Sequence, residues 1–257
     1  TEDQLKLMVG GNVSSATTNV AYFGLSYQNL RDYAQTAYID AMFGKAYNGI
    51  SLGTRIDIPS TKNWYLKLAF ALHRFDFYAK QSAFYNDDRT SNFNQSEFYG
   101  KFSVGFPVTM KGRVEFGIGY GGLSDNYRQN LNLVTSGLDE SIYNLGSIFS
   151  KFETNSLNSI MYPTKGLRHK VDIQVITGRE SFKSRIDPNL YNSGQNDFWL
   201  QLKASSEKFY KITNKFHLGG FSELVFSNRK ILNNYTSTII QMPTFRPTPH
   251  SLVIFNE

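Results

Sequence analysis

The 257 residues suffice for one large domain. With no cysteine among them, disulfides, thiol nucleophiles and thiolate metal sites are excluded. The formal net charge is +6, but Lys and Arg are scattered and never run five together. That speaks against a nucleic-acid stripe and suits anionic lipid or a positively lined interior. No stretch reaches the roughly 18 apolar residues that a membrane helix needs. The chain shows instead a two-residue alternation that returns about eleven times, the signature of half-buried strands.

In chain order, the expected strands are Leu5 to Val13, Ala21 to Tyr27, Ala37 to Phe43, Ile50 to Ile58, Trp64 to His73, Phe98 to Phe106 and Val114 to Tyr120. A poorly alternating segment from Tyr143 to Phe149 follows, then Leu167 to Val175, Phe198 to Ala204 and Phe216 to Phe226. The fourth shows the pattern best. Ile50, Leu52, Thr54, Ile56 and Ile58 alternate with Ser51, Gly53, Arg55 and Asp57, giving one apolar and one wet face. Runs of about 9–12 residues suffice to cross a bilayer when tilted. Aromatics make up 15% of the chain, which suits interfacial belts and equally the aromatic core of a β-sandwich.

The connections add a second signal. Short turns follow the fourth, sixth and tenth strands, at 59–63, 107–112 and 211–214. Long polar segments follow the fifth, seventh, ninth and eleventh, at 80–95, 121–140, 178–197 and from Ser227. The short link at 44–49 is the exception. Sorting by parity puts short turns on one rim and long loops on the other, as in outer-membrane barrels. A soluble β-sandwich, the rival reading, has no reason to sort its loops so.

The wet face includes Lys6, Asn12, Asp40, Arg55, Asp57, Lys67, Lys101, Arg113, Glu115, Arg168, Lys170, Asp172, Gln174, Gln201, Lys203 and Glu223. On a lipid face each Lys or Arg would cost roughly 2–4 kcal/mol near the midplane. The expectation is therefore an inward, lumen-facing placement. Glycines on the strands, such as Gly53, Gly105 and Gly117, fit close backbone approach.

At Tyr162-Pro163-Thr164-Lys165-Gly166-Leu167-Arg168 the chain resembles a family. A Pro-Thr-x-Gly turn leading into an alternating strand is similar to the barrel of BamA-type outer-membrane assembly factors. That superfamily includes two-partner secretion transporters and barrels fused to patatin-like phospholipases. The segments Leu5 to Ser15, Ala21 to Leu25 and Ile50 to Ile58 most resemble the barrel of Bacteroidota patatin-like proteins. The resemblance implies a family turn at Pro163, Thr164, Lys165 and Gly166. It also implies a sixteen-stranded barrel, of which this chain supplies about eleven, with a lipase domain upstream. The family's lumenal Arg-Gly-Phe motif does not occur before Glu257, so no such arginine is carried over.

Candidates for chemistry are few. Gly49-Ile50-Ser51-Leu52-Gly53 matches G-x-S-x-G, but that pattern needs a strand, a sharp turn and a helix, whereas Ser51 lies inside an alternating run. His73, His169, His217 and His250 have no metal-ligand spacing, and His169 and His217 are expected on outward positions at the rim. Asn86, Asp87 and Asp88 are read as solvated loop residues rather than a calcium site, and Gly119 to Gly122 as no phosphate cradle. Pro243, Pro247 and Pro249 suit an irregular loop.

The expectation is an all-β, antiparallel transmembrane β-barrel over residues 1–257, part of a longer protein, in the outer membrane of a Gram-negative cell. Its role would be anchoring, translocating or assembling a protein passenger, with no catalytic residue, metal or cofactor in this segment. Expected partners are outer-membrane lipid or lipopolysaccharide, a passenger domain and assembly-complex subunits, without nucleic acid. Alternatives are a passive porin-type channel and a soluble β-sandwich binding module.

Overall fold

The computed structural model describes residues 4–12, 20–30, 33–44, 47–61, 63–76, 92–127, 139–159, 162–184, 191–213 and 216–228. They form one sheet of β1 (Gln4–Asn12), β2 (Val20–Leu30), β3 (Ala34–Gly44), β4 (Tyr47–Asp57), β5 (Tyr65–Asp76), β6 (Asn92–Thr109), β7 (Gly112–Tyr127), β8 (Asp139–Asn155), β9 (Gly166–Lys183), β10 (Tyr191–Lys211) and β11 (His217–Ser227). The spatial order is β1 to β11 without a crossover, and every neighbouring pair is antiparallel. The strands form a single layer, so the two-layered sandwich is not this architecture. Among the described residues β1 and β11 are the two edges.

Partners directly opposite in an antiparallel ladder share a face, so the register sorts the side chains. One row runs Asp57, Tyr65, Gly105, Glu115, Lys151, Asp172, Lys203 across β4 to β10. An alternate-phase row runs Thr54, Leu68, Phe102, Ile118, Ile148, Val175, Leu200. The first belongs to an inner face that surrounds a cavity; the second is the outer face. Leu7, Leu72, Ile118, Ile148 and Leu224 all stand exposed on the outside.

The strands are longer than the alternation alone indicates. β6 to β10 have 16 to 21 residues, against 9 to 12 in β1 to β5. Much of the expected loops at 121–140 and 178–197 is ladder, because Asp125, Asn126, Glu140 and Ser141 pair in register despite their polarity. β8 obscured its own pattern for a related reason. Tyr143, Leu145 and Phe149 lie on the inner face, where a polar residue was expected, and Ile142, Ile148 and Phe152 lie on the outer.

Those inner residues mark an exchange of polarity along the strands. Ala71, Tyr99, Leu123, Tyr143, Leu145, Ile176 and Trp199 form a buried cluster on the inner face, toward the end of the sheet where the long connections lie. At the same height the outer face carries Ser96, Ser124, Asn144, Arg179 and Ser181. Nearer the short turns the arrangement reverses, with charges inside and Phe106, Val114, Phe152 and Val171 outside. The apolar surface thus passes from outside to inside along β6 to β9.

The segment between β8 and β9 is fixed by hydrogen bonds. Asn158 accepts at Oδ1 from the amides of Thr164 and Lys165, both at 3.0 Å, and donates from Nδ2 to the Thr164 hydroxyl at 2.9 Å. The Ser156 hydroxyl accepts from the Leu167 amide and donates to the Leu167 carbonyl. Gly166 has φ +120°, and a Cβ there would meet the Ser156 carbonyl and come within 2.8 Å of Leu157 Cα. Only glycine fits both demands. Asn86, Asp87, Asp88, Pro243, Pro247, Pro249 and His250 lie outside the described residues.

Candidate functional site: a charged cavity on the inner face

A cavity of about 850 Å³ is lined mostly by inner-face residues of β3 to β11. Arg55, Lys67, Lys101, Arg113, Glu115, Arg168, Lys170, Asp172 and Lys203 all line it. Asp57 shares their face and binds Arg55, but is not itself in the lining. Pro163, Thr164 and Lys165 are elsewhere, in the β8–β9 connection, and Gly166 opens β9. Sequence reasoning missed Lys151, Glu153 and Glu207 in the cavity wall. The signal for the first two was the Lys151-Phe152-Glu153 alternation at the end of β8.

The side chains form linked groups. Glu115 accepts from Lys67 Nζ at 3.1 Å, from the Ser103 hydroxyl at 2.8 Å and from the Tyr65 hydroxyl at 3.0 Å. A buried carboxylate surrounded by three donors is well satisfied, and two of the three come from β5. The Tyr65 ring is wedged in place. It lies across Gly105, where any β-carbon would overlap it, and the Arg55 guanidinium sits 4.0 Å from its centroid. Glu153 joins three strands by taking Arg113 from β7 and Arg168 from β9. Lys151 pairs with Asp172 at 3.6 Å, and Lys203 with Glu223 at 3.4 Å.

The wall has an excess of positive charge. Arg55, Lys67, Lys101, Arg113, Lys151, Arg168, Lys170 and Lys203 are set against Glu115, Glu153, Asp172, Glu207 and Glu223, eight cations to five carboxylates. Lys101 and Lys151 also lie over the Tyr99 and Phe149 rings, at 5.1 and 5.2 Å. The cations are therefore anchored by rings as well as by acids. Such a wall can attract an acidic segment or small anion and hold it in water.

Ser51 lies in mid-β4, opposite Asp40 and Ala71, with ladder on both sides. No group of three or more His, Cys, Asp or Glu positioned for a metal occurs among the described residues. His73 is on the inner face, bonded through Nδ1 to the Tyr47 hydroxyl. His169 is on the outer face, opposite Thr154 and Ser206. His217, expected outward, shares the inner face with Phe221 and Glu223. Gly219-Gly220 shifts the visible pattern of β11, because neither residue marks a face.

No protein-family model matches the chain, and no curated protein matches it. Among solved structures, that of BamA from Haemophilus ducreyi lacking POTRA domains 1–3 is similar. The TM-score is 0.62 at 12% sequence identity, and the match covers 88% of this chain and 41% of that one. This chain therefore spans about two fifths of the length of the structure it matches. At that identity the likeness is one of fold: the eleven strands have the architecture of a BamA-like β-barrel wall.

Proposed function

We propose that this chain is the wall of an outer-membrane β-barrel that anchors a protein passenger or carries it across the membrane. In this reading it is the barrel part of a patatin-like lipid-hydrolysing protein of Bacteroidota, whose catalytic domain lies upstream. The segment itself breaks no bond. Its surroundings are outer-membrane lipid, and its partners are the passenger and subunits of the outer-membrane assembly machinery. The observation that carries the reading is the division of the two faces. Linked charges line the inner cavity, while Phe102, Ile118, Ile148 and Val175 cover the other side. A solvent of hydrocarbon outside and water inside is the one in which both faces are satisfied.

The absence of cysteine makes the test direct. Single cysteines at Phe116 and Ser205, introduced into protein inserted in outer membranes, are probed with a membrane-impermeant maleimide. Labelling at Ser205→Cys with protection at Phe116→Cys is expected. The reverse, or protein recovered in buffer without detergent, would falsify the barrel. For the chemistry, Ser51→Ala in the full-length protein should leave ester hydrolysis unchanged. Single-channel recording separates the porin reading, which requires a steady, large conductance.

A further inference from the structure

We propose that a groove on the outer face, between β4 and β8, holds a phosphorylated glycolipid of the external leaflet, with an acyl chain in the groove and a phosphate on Arg74. The proposal rests on the membrane reading above and assigns a specific lipid to one place on the wall. The groove has a volume of about 550 Å³. Ile50, Leu72, Phe98 and Ile142 supply its apolar sides, and Gly122 and Ser124 its shallow floor. The Phe98 ring can lie low along this floor because Gly122 has no side chain, the ring being 2.5 Å from where a β-carbon would stand.

The layout is that of an amphiphile. Leu72 and Phe98 continue the apolar outer surface, whereas Arg74, two residues beyond Leu72, lies between Asn48 and Ser96 in the next row, where that surface turns polar. Arg74 is exposed and takes no partner among the described residues. A second exposed cation, Arg179, is registered beside Asn144 at the far flank. The two backbones are four strand spacings apart, about 19 Å across the sheet. That is wide for one phosphate, but two arginines turned inward can reach both phosphates of a disaccharide headgroup. A peptide strand is a poor occupant, because the groove lies in mid-sheet, where the backbone groups of β4 to β8 are already paired. The β5 end bearing Arg74 leads into the long connection at 77–91, and the long-loop rim of such barrels is external.

The test uses the full chain in detergent micelles supplied with bis-phosphorylated lipid A, phosphatidylglycerol or phosphatidylcholine, with bound lipid counted by native mass spectrometry. The unaltered protein should retain lipid A in preference to both phospholipids. Arg74→Ala should weaken retention about fivefold, the effect of one cation at a charged interface. Gly122→Leu, which pushes the Phe98 ring up into the groove, should weaken it for any headgroup. Lys208→Ala, an outward cation at the opposite rim, should change nothing. Equal retention by Arg74→Ala and the unaltered protein overturns the site, as does equal retention of phosphatidylglycerol and lipid A. An inserted protein that holds no lipid A overturns the site but leaves the barrel standing. A protein that stays dissolved without detergent overturns both.

Discussion

Arg113 and Arg168 meet on a single carboxylate. Arg113 reaches Oε2 of Glu153 at 2.5 Å from β7, and Arg168 reaches Oε1 at 3.0 Å from β9. Glu153 stands between them on β8, with Lys170 directly opposite in register. Removing its charge would leave three cations facing one another. Glu153→Gln is expected to lower unfolding free energy by about 1–3 kcal/mol, toward the low end because both arginines are partly exposed. Urea unfolding in detergent, followed by the shift in gel mobility between folded and unfolded barrel, measures this. An unchanged midpoint would mean that the three strands do not depend on this acid.

The turn before β9 offers a sharper contrast. Gly166→Ala places a β-carbon against backbone at a positive φ and should cost about 1–3 kcal/mol. Gly220→Ala meets nothing within 4 Å and should be close to neutral. The comparison is read as the difference between the two urea midpoints. Equal midpoints would sink the turn's structural role.

The two faces can be told apart by inserting one charge on each. Ile118→Arg, on the outer face, should cost about 2–4 kcal/mol if hydrocarbon surrounds it. Thr36→Arg, in the cavity wall, adds a cation beside water and should cost well under half of that. Refolding yield into phosphatidylcholine vesicles reports both. Similar losses at both sites would argue against the assignment of the faces.

Leu145 tests the inner apolar cluster. It is 2% exposed and packs over Gly178, so Leu145→Ala should cost about 2–5 kcal/mol in the same unfolding assay. A loss below about 1 kcal/mol would show that the cluster does not hold β8 and β9 together.

How far these features were legible in the sequence depended on how the two faces differ. On β4 the contrast is between Ile or Leu and Ser, Gly, Arg or Asp, so alternation alone identifies the strand. On β8 both faces become apolar at Tyr143 to Phe149, and a pattern that needs contrast cannot register there. The same blind spot hid Lys151 and Glu153, although they follow in phase. The tops of β7 to β9 look like loop in the sequence because their residues are polar, whereas cross-strand pairing keeps Asp125, Asn126 and Glu140 in the ladder. Asn158 gave no warning at all. Its role arises from three hydrogen bonds across a turn, and those depend on a geometry that residue order does not encode.

The unbroken order from β1 to β11 has a kinetic meaning. Each strand meets the one made just before it, so the sheet can grow hairpin by hairpin, and no step must wait for a distant part of the chain to find its place. The entropy of closing each connection rises only slowly with its length, so the extended links on one rim impede this growth little. A nascent wall built this way exposes a single advancing edge. Whatever protects that moving front from aggregation has one strand to shield at a time.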